Sequence, residues 1–121
     1  MKSHKDLDVW KLAVELATDI YLLTRKFPKD ELYGMTSQMR RSSSSIASNI
    51  AEGAARQKGR EFNQFLHYAM GSAAELDTHL EISMRVELAP IQQLRGLQDK
   101  ATRIGQMLRG LTRSLRKKDS T

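Results

Sequence analysis

The sequence contains no cysteine, only two prolines, and 6% aromatic residues. The absence of cysteine excludes a disulfide framework, a zinc-thiolate site and a thiol nucleophile. No stretch approaches the roughly 20 consecutive apolar residues of a membrane span, and the amino terminus lacks the apolar run of a secretory signal. We therefore expect a cytoplasmic protein that does not interact with a membrane.

What is present is an ordinary globular composition with an uneven distribution of charge. The 121 residues are 40% hydrophobic, which is enough for one domain to bury a core. Residues 1–90 carry 12 basic and 12 acidic side chains, whereas residues 91–121 carry 8 basic and 2 acidic ones. The excess of the net charge of +6 thus lies in the last quarter of the chain. Such a basic face attracts phosphates, but its charge alone identifies no partner.

Apolar residues recur in steps of three and four over four segments, a spacing typical of amphipathic helices. Pro28, the stretch between Gly53 and Gly59, and Pro90 interrupt the pattern. We predict helices over about 6–27, 30–54, 58–87 and 91–117, within a single domain that spans residues 1–121. Short connections favour an all-α, antiparallel, up-down-up-down four-helix bundle. The residues from Lys117 to Thr121 have no apolar stripe, so we expect them to fray.

Some apolar residues lie off the predicted inner faces, and a monomer would expose them. They are Leu12, Leu22, Tyr33, Leu66, Tyr68, Ile82, Val86 and Met107. Self-association would cover such a surface. The inner face of the second helix is small and polar, from Ser42 to Asn49, which lets a neighbouring helix approach closely if each buried hydroxyl is hydrogen-bonded.

Several motifs occur together along the chain: Asp6-Leu7-Asp8-Val9-Trp10, Tyr33-Gly34-Met35-Thr36-Ser37-Gln38, and Ser45-Ile46-Ala47-Ser48-Asn49-Ile50-Ala51-Glu52-Gly53. With them, the sequence resembles the small four-helix bundle proteins encoded by intervening sequences of bacterial large-subunit (23S) ribosomal RNA genes. The resemblance implies a homopentamer. It also implies a relation to the accessory variability determinant protein of diversity-generating retroelements, a basic pentamer that binds nucleic acid and a reverse transcriptase. Ala47 replaces a proline common in the family, so we expect a more continuous second helix.

The candidate nucleic-acid-binding residues lie on the fourth helix. They are Arg95, Lys100, Arg103, Arg109, Arg113, Arg116 and Lys117, followed by Lys118. At about 100° per residue, many of them project away from the apolar stripe, where they would follow a phosphate backbone. The alternative is a solvated helix face whose cations suit the negative end of the helix dipole.

A second basic group surrounds the connection between the second and third helices: Arg40, Arg41, Arg56, Lys58 and Arg60. It would either bind anions or form ion pairs with Glu52, Glu75 or a neighbouring subunit, and we favour the structural role. A buried polar network is expected to contain Arg41, Ser45, Asn49, Glu52 and Glu75.

No nucleophile, phosphate loop or metal set accompanies these residues. Glu75 and His79 are four residues apart and have no second copy, unlike the Glu-x-x-His pairs of di-iron bundles. We therefore predict no enzyme activity, no cofactor and no metal. The leading hypothesis is a homo-oligomeric bundle that binds RNA or DNA, with a nucleic-acid enzyme such as a reverse transcriptase as a further partner. The alternative is a protein-protein interaction scaffold.

Overall fold

The computed structural model describes residues 3–56 and 58–119, and for residues 118 and 119 it describes the backbone only. Four α-helices form the bundle: α1 (Asp8–Thr24), α2 (Ser37–Ala55), α3 (Gly59–Arg85) and α4 (Ile91–Asp119). Consecutive helices run in opposite directions and pack side by side, and α4 closes the bundle against α1. No strand occurs within these residues. The predicted all-α four-helix bundle is thus confirmed. Fraying was expected at the end of the chain, but α4 continues to Asp119, and residues 120 and 121 lie outside the described part.

One hydrophobic core runs the length of the bundle, and each helix contributes a stripe of residues to it. The largest fully buried side chains of the core are Leu16, Ile20, Met39, Ile46, Ile50, Leu66, Leu76, Leu80, Leu94, Ile104 and Leu108. The prediction placed Leu66 outside the core, and this was wrong, because Leu66 is fully buried while Phe62 is only partly buried. The spacing of apolar residues predicts an inward face that begins with Phe62, Phe65 and Ala69, whereas the buried face of α3 begins at Leu66 and continues through Ala69.

The connection between α1 and α2 is longer than the sequence pattern predicted. A 3-10 turn (Lys29–Glu31) and a π-turn (Leu32–Thr36) precede α2, which begins at Ser37. Gly34 adopts φ −110° and ψ −113°, outside the helical region, so a regular helix cannot run through it. The Glu31 carboxylate accepts a hydrogen bond from the Met35 backbone N–H at 3.2 Å. From Ser37 onwards α2 is continuous through Ala47.

A Schellman motif ends α3 and turns the chain into α4. The Leu88 N–H donates to the Ser83 carbonyl at 3.0 Å, and the Glu87 N–H donates to the Met84 carbonyl at 3.2 Å. Glu87 occupies the left-handed position of this motif, with φ 60°. Leu88 packs against the core, and Pro90 sits just before α4. The turn therefore fixes α4 antiparallel to α3. None of the described helices is long and apolar enough to cross a membrane.

Candidate nucleic-acid interface

The outer face of α4 carries most of the predicted basic residues. Arg95, Arg103, Arg109, Arg113 and Arg116 are all exposed. Arg95 and Arg113 lie 18 residues apart, about five helical turns, and therefore project in the same direction, with Arg109 and Arg116 within about 60° of them. The apolar stripe of α4 holds this face outward, because Leu94, Ala101, Ile104 and Leu108 are buried on the opposite side.

A hydrogen bond between α3 and α4 sets their register. Gln98 Nε2 donates to Glu81 Oε1 at 3.1 Å and lies 3.5 Å from the Asp77 carbonyl oxygen. The hydrogen bond from Gln98, followed by that from Arg85, lowers the pKa of the Glu81 carboxyl. Arg113 lies fifteen residues after Gln98 on α4, and Phe62 lies fifteen residues before Asp77 on the antiparallel α3. Since both helices rise equally per residue, Arg113 lies level with the first turn of α3.

This register brings together two basic groups that the sequence analysis treated as separate. Lys58 and Arg60, at the start of α3, lie at the same end of the bundle as Arg109, Arg113 and Arg116 of α4. We call these five residues the basic end. All five are exposed, and none forms an ion pair with another residue in the described part of the chain. Acids also lie in this part of the bundle: Glu61 is partly buried in the first turn of α3, Glu52 is paired with Arg56, and Asp77 lines a surface pocket together with Arg109.

Other predicted α4 residues lie outside the basic end. Lys100 is partly buried and donates to Asp19 Oδ2 at 2.7 Å and to Glu15 Oε1 at 2.8 Å. These hydrogen bonds, Asp19 first, raise the pKa of Lys100. Its prediction as a phosphate contact needs correction, because its charge is engaged between α1 and α4. Arg95 lies near Glu81 at the opposite end of the helix. Lys117 is exposed beside Arg116, whereas the Lys118 side chain lies outside the description.

The second predicted basic group divides between different environments. Arg56 pairs with Glu52 at 2.6 Å and lies over the Phe65 ring, 5.1 Å from its centroid. Arg40 Nε donates to Thr24 Oγ1 at 2.9 Å, and its guanidinium lies 4.8 Å from the Tyr21 centroid. Only Lys58 and Arg60 of that group join the basic end.

The polar network between α2 and α3 is smaller than predicted and contains a residue that the prediction missed. Asn49 Nδ2 donates to the Ser45 carbonyl at 2.8 Å and to Ser45 Oγ at 3.0 Å, and Ser72 Oγ donates to Ser45 Oγ at 2.9 Å. Glu52 pairs with Arg56 instead of joining the network, and Arg41 and Glu75 are exposed. The run of small residues around Ser72 was the available signal, since close helices need small side chains on both sides.

The histidines and acids of the described residues form no metal-binding cluster. Within residues 3–56 and 58–119, no three His, Asp or Glu side chains converge on a point where a metal ion would fit. His79 is buried, with Nδ1 3.5 Å from Ser42 Oγ, and His67 Nδ1 lies 2.8 Å from the Asn63 carbonyl oxygen. Both histidines thus contact groups of the bundle itself.

A second surface feature is a groove of about 600 Å³ between α1 and α2. Its lining contains no Asp, Glu, Lys or Arg. Val14, Ala17 and Tyr21 line the α1 side, and Ala47 and Ala51 contribute to the α2 side. Val14 and Tyr21, on the α1 side, are 37% and 43% exposed, so the groove presents apolar surface to solvent.

The architecture and these surfaces define a basic four-helix bundle protein. The 23S rRNA-intervening sequence protein family model matches residues 5–110, and the chain belongs to this family. Among solved structures, it is similar to a protein of unknown function from the S23 ribosomal protein family of Bacteroides thetaiotaomicron. That crystal structure has a TM-score of 0.78 and 26% identity, and the match covers 86% of this chain and 97% of the other. No curated protein matches the chain.

Proposed function

We propose that the protein is a non-enzymatic bundle that binds RNA or DNA through the basic end. The observation that carries this proposal is that the five cations of the basic end lie together, exposed and without ion pairs in the described part of the chain. Lys100, in contrast, is neutralised by two acids. A cation that has no intramolecular partner keeps its full attraction for a phosphate.

Binding through the basic end has a characteristic dependence on salt. Contacts to about five phosphates per protomer would give a slope of about −4.5 for log K against log salt on duplex DNA, because each contact releases condensed counterions. Lysine and arginine charges attract backbone phosphates whatever the base sequence, so we expect the contacts to be mainly to the backbone rather than to the bases. We infer binding that depends on charge and shape more than on sequence.

The test reverses charge at the basic end and compares it with an equal reversal elsewhere. The first variant combines Arg109→Glu, Arg113→Glu and Arg116→Glu. The control variant combines Lys26→Glu, Lys29→Glu and Arg95→Glu, which changes net charge by the same amount on exposed positions at the opposite end of the bundle. Binding to labelled structured RNA and duplex DNA is measured by fluorescence anisotropy across a salt series, with helicity checked by circular dichroism.

We expect the first variant to lose binding and the control variant to keep most of it. Equal losses in the two variants would show that net charge, rather than the basic end, decides the affinity. No binding by the intact protein at low salt would contradict the proposed function altogether. The salt slope of the control should stay close to that of the unaltered protein.

A second candidate function, a scaffold assembled from copies of this chain, is favoured by the groove between α1 and α2. Small residues on α2 let a helix of another copy approach closely. Because the lining has no Asp, Glu, Lys or Arg, covering the groove would not remove any of these charged groups from water. We propose that a second copy covers this groove, and a homo-oligomer would then present several basic ends to one nucleic acid and raise avidity.

Sedimentation analysis tests the assembly. Ala47→Glu places a charge in the groove and should release protomers that remain helical. Ala74→Glu, at an exposed position on α3, is the matched control and should leave the assembly intact. If the unaltered protein sediments as a monomer, the self-assembly proposal fails, while the nucleic-acid proposal is judged by its own measurement.

A further inference from the structure

A pocket of about 400 Å³ lies at the start of α2, at the opposite end of the bundle from the basic end. Its lining includes Tyr21, Tyr33, Ser37, Arg40 and Arg41, and contains no Asp or Glu. Two arginines beside two tyrosines distinguish it from the groove between α1 and α2, whose lining has no Asp, Glu, Lys or Arg. The pocket thus combines positive charge with aromatic surface, the two features that single-stranded nucleic acids recognise.

Tyr33 is the most exposed large hydrophobic residue of the described chain, at 93%. Its ring contacts no other ring and makes no hydrogen bond to another described residue. Tyr68 is the contrast: it accepts a hydrogen bond from Gln64 at 2.7 Å and packs edge-to-face on Phe65 at 5.5 Å. The face of the Tyr33 ring is therefore open to a ligand, whereas the Tyr68 ring packs against Phe65 of its own helix.

The backbone that carries Tyr33 is held in place, although the ring itself is exposed. Tyr33 lies in the π-turn that precedes α2, where the Glu31 carboxylate accepts the Met35 N–H and lies against Gly34. Glu31 is the acid closest to Tyr33 along the chain, and its carboxylate is engaged by the backbone of the turn. A fixed turn reduces the conformational entropy that the aromatic platform would lose on binding.

Arg40 is pre-positioned in the same pocket. Its Nε donates to Thr24 Oγ1, and Thr24 is only 3% exposed, so the arginine is anchored to a buried group. The Tyr21 ring supports the guanidinium at 4.8 Å. Arg41 is exposed and forms no ion pair in the described part of the chain. One arginine is held by the fold and the other is free to reach a phosphate.

We propose that this pocket binds one nucleotide unit of a single-stranded nucleic acid, with the base stacked on Tyr33 and the phosphate bound by Arg40 and Arg41. The proposal rests on the proposed function, since both sites would bind the same kind of polymer. The 19 residues of α2 separate the pocket from the basic end by about 28 Å. A folded RNA with a single-stranded loop next to a duplex would occupy both sites.

The test labels the three tyrosines with 3-fluorotyrosine and follows each ¹⁹F signal during titration with a short oligothymidylate. We expect the Tyr33 signal to shift and the Tyr68 signal to stay in place. Tyr33→Ala should weaken binding of the oligothymidylate about tenfold, because stacking on an aromatic side chain is lost. Tyr33→Phe retains the ring and should bind normally, while Tyr68→Ala is the control for removal of an exposed tyrosine.

Different failures are distinguishable. The basic-end variant should still show the Tyr33 shift, which separates the pocket from the basic end. Binding of duplex and oligothymidylate without a shift of the Tyr33 signal would overturn the proposed nucleotide pocket and leave the proposed function standing. Absence of all binding would overturn both the pocket and the proposed function. A Tyr33→Ala protein whose sedimentation changes would identify Tyr33 as a contact between copies and would also overturn the pocket.

Discussion

Two contacts between neighbouring helices are built differently. Between α2 and α3 the helices lie so close that a Cβ added to Gly53 would sit 2.8 Å from Phe65 Cβ and 3.0 Å from Phe62 Cδ1. Between α1 and α4, the side chain of Lys100 spans the contact to Glu15 and Asp19, and a groove of about 670 Å³ remains beside it. One contact is closed by small side chains and the other is bridged by a long charged one.

The difference decides which polar groups each contact tolerates. In the α2–α3 contact, buried hydroxyls are satisfied within the protein, as when Ser42 donates to the Met39 carbonyl at 3.3 Å. In the α1–α4 contact the charges remain partly in water, since the side chain of Lys100 is 32% exposed and that of Asp19 is 34% exposed. Substitutions should therefore be costly in the first contact and mild in the second.

The largest effect is expected for Gly53→Ala. Overpacking costs about 1–3 kcal/mol, which should exceed the gain of about 1 kcal/mol from replacing glycine by alanine in a helix. The nearest atoms include the Phe62 backbone oxygen at 3.2 Å, so rotating a side chain does not make room. We expect a net loss in the free energy of unfolding of up to about 2 kcal/mol in urea titrations.

Gly71→Ala provides the matched control, because a Cβ at this position of α3 meets nothing within 4 Å. That variant should gain stability through helix propensity alone. If Gly53→Ala were as stable as Gly71→Ala, the α2–α3 contact would have room for an added methyl group. The two helix contacts would then not differ in how closely they are packed.

A smaller effect is expected for Lys100→Met in the α1–α4 contact. Methionine keeps the apolar stem and removes the two ion pairs, which for partly exposed groups are worth about 0.5–1 kcal/mol together. Because the pKa of Lys100 is raised in the folded protein, its contribution is fully present below the pKa of the unfolded chain and is lost as the pH rises through the folded value. Urea titrations at neutral and strongly alkaline pH should show this loss.

High salt should reduce the difference between Lys100→Met and the unaltered protein, since exposed charges are screened. Lys11→Met is the control, because Lys11 is exposed on α1 and forms no ion pair in the described part. A cost of Lys100→Met that is insensitive to both salt and pH would mean that packing, and not charge, bridges α1 and α4.

The sequence alone predicted the fold because helical periodicity is a local property. Steps of three and four identify the inner faces, and Pro28 and Pro90 mark connections. The π-turn was not predictable in this way, because it depends on the conformation of Gly34 and on a side-chain hydrogen bond from Met35 to Glu31. Leu66 was misplaced since Phe62, Phe65 and Leu66 all fit some helical face, and only the position of the neighbouring helices decides which is inside.

The candidate site was less predictable, because it depends on the register between helices. The sequence identified Arg109, Arg113 and Arg116, but no local pattern states that Lys58 and Arg60 lie at the same end. Lys100 was included in the predicted set because its partners Glu15 and Asp19 lie on another helix, more than 80 residues away in sequence. A charge run thus shows where cations are, while tertiary contacts decide which of them are neutralised.

An effect of the opposite sign is expected for Gly96→Ala in the open contact between α1 and α4. Gly96 lines the groove between α1 and α4, is exposed, and has nothing within 4 Å of an added Cβ. Alanine should therefore stabilise α4 by about 0.5–1 kcal/mol, as in any solvated helix interior. Thermal and urea unfolding measure this gain beside the loss for Gly53→Ala. A loss of stability at Gly96 would mean that α1 approaches α4 closely in solution, and the groove would not be an open contact.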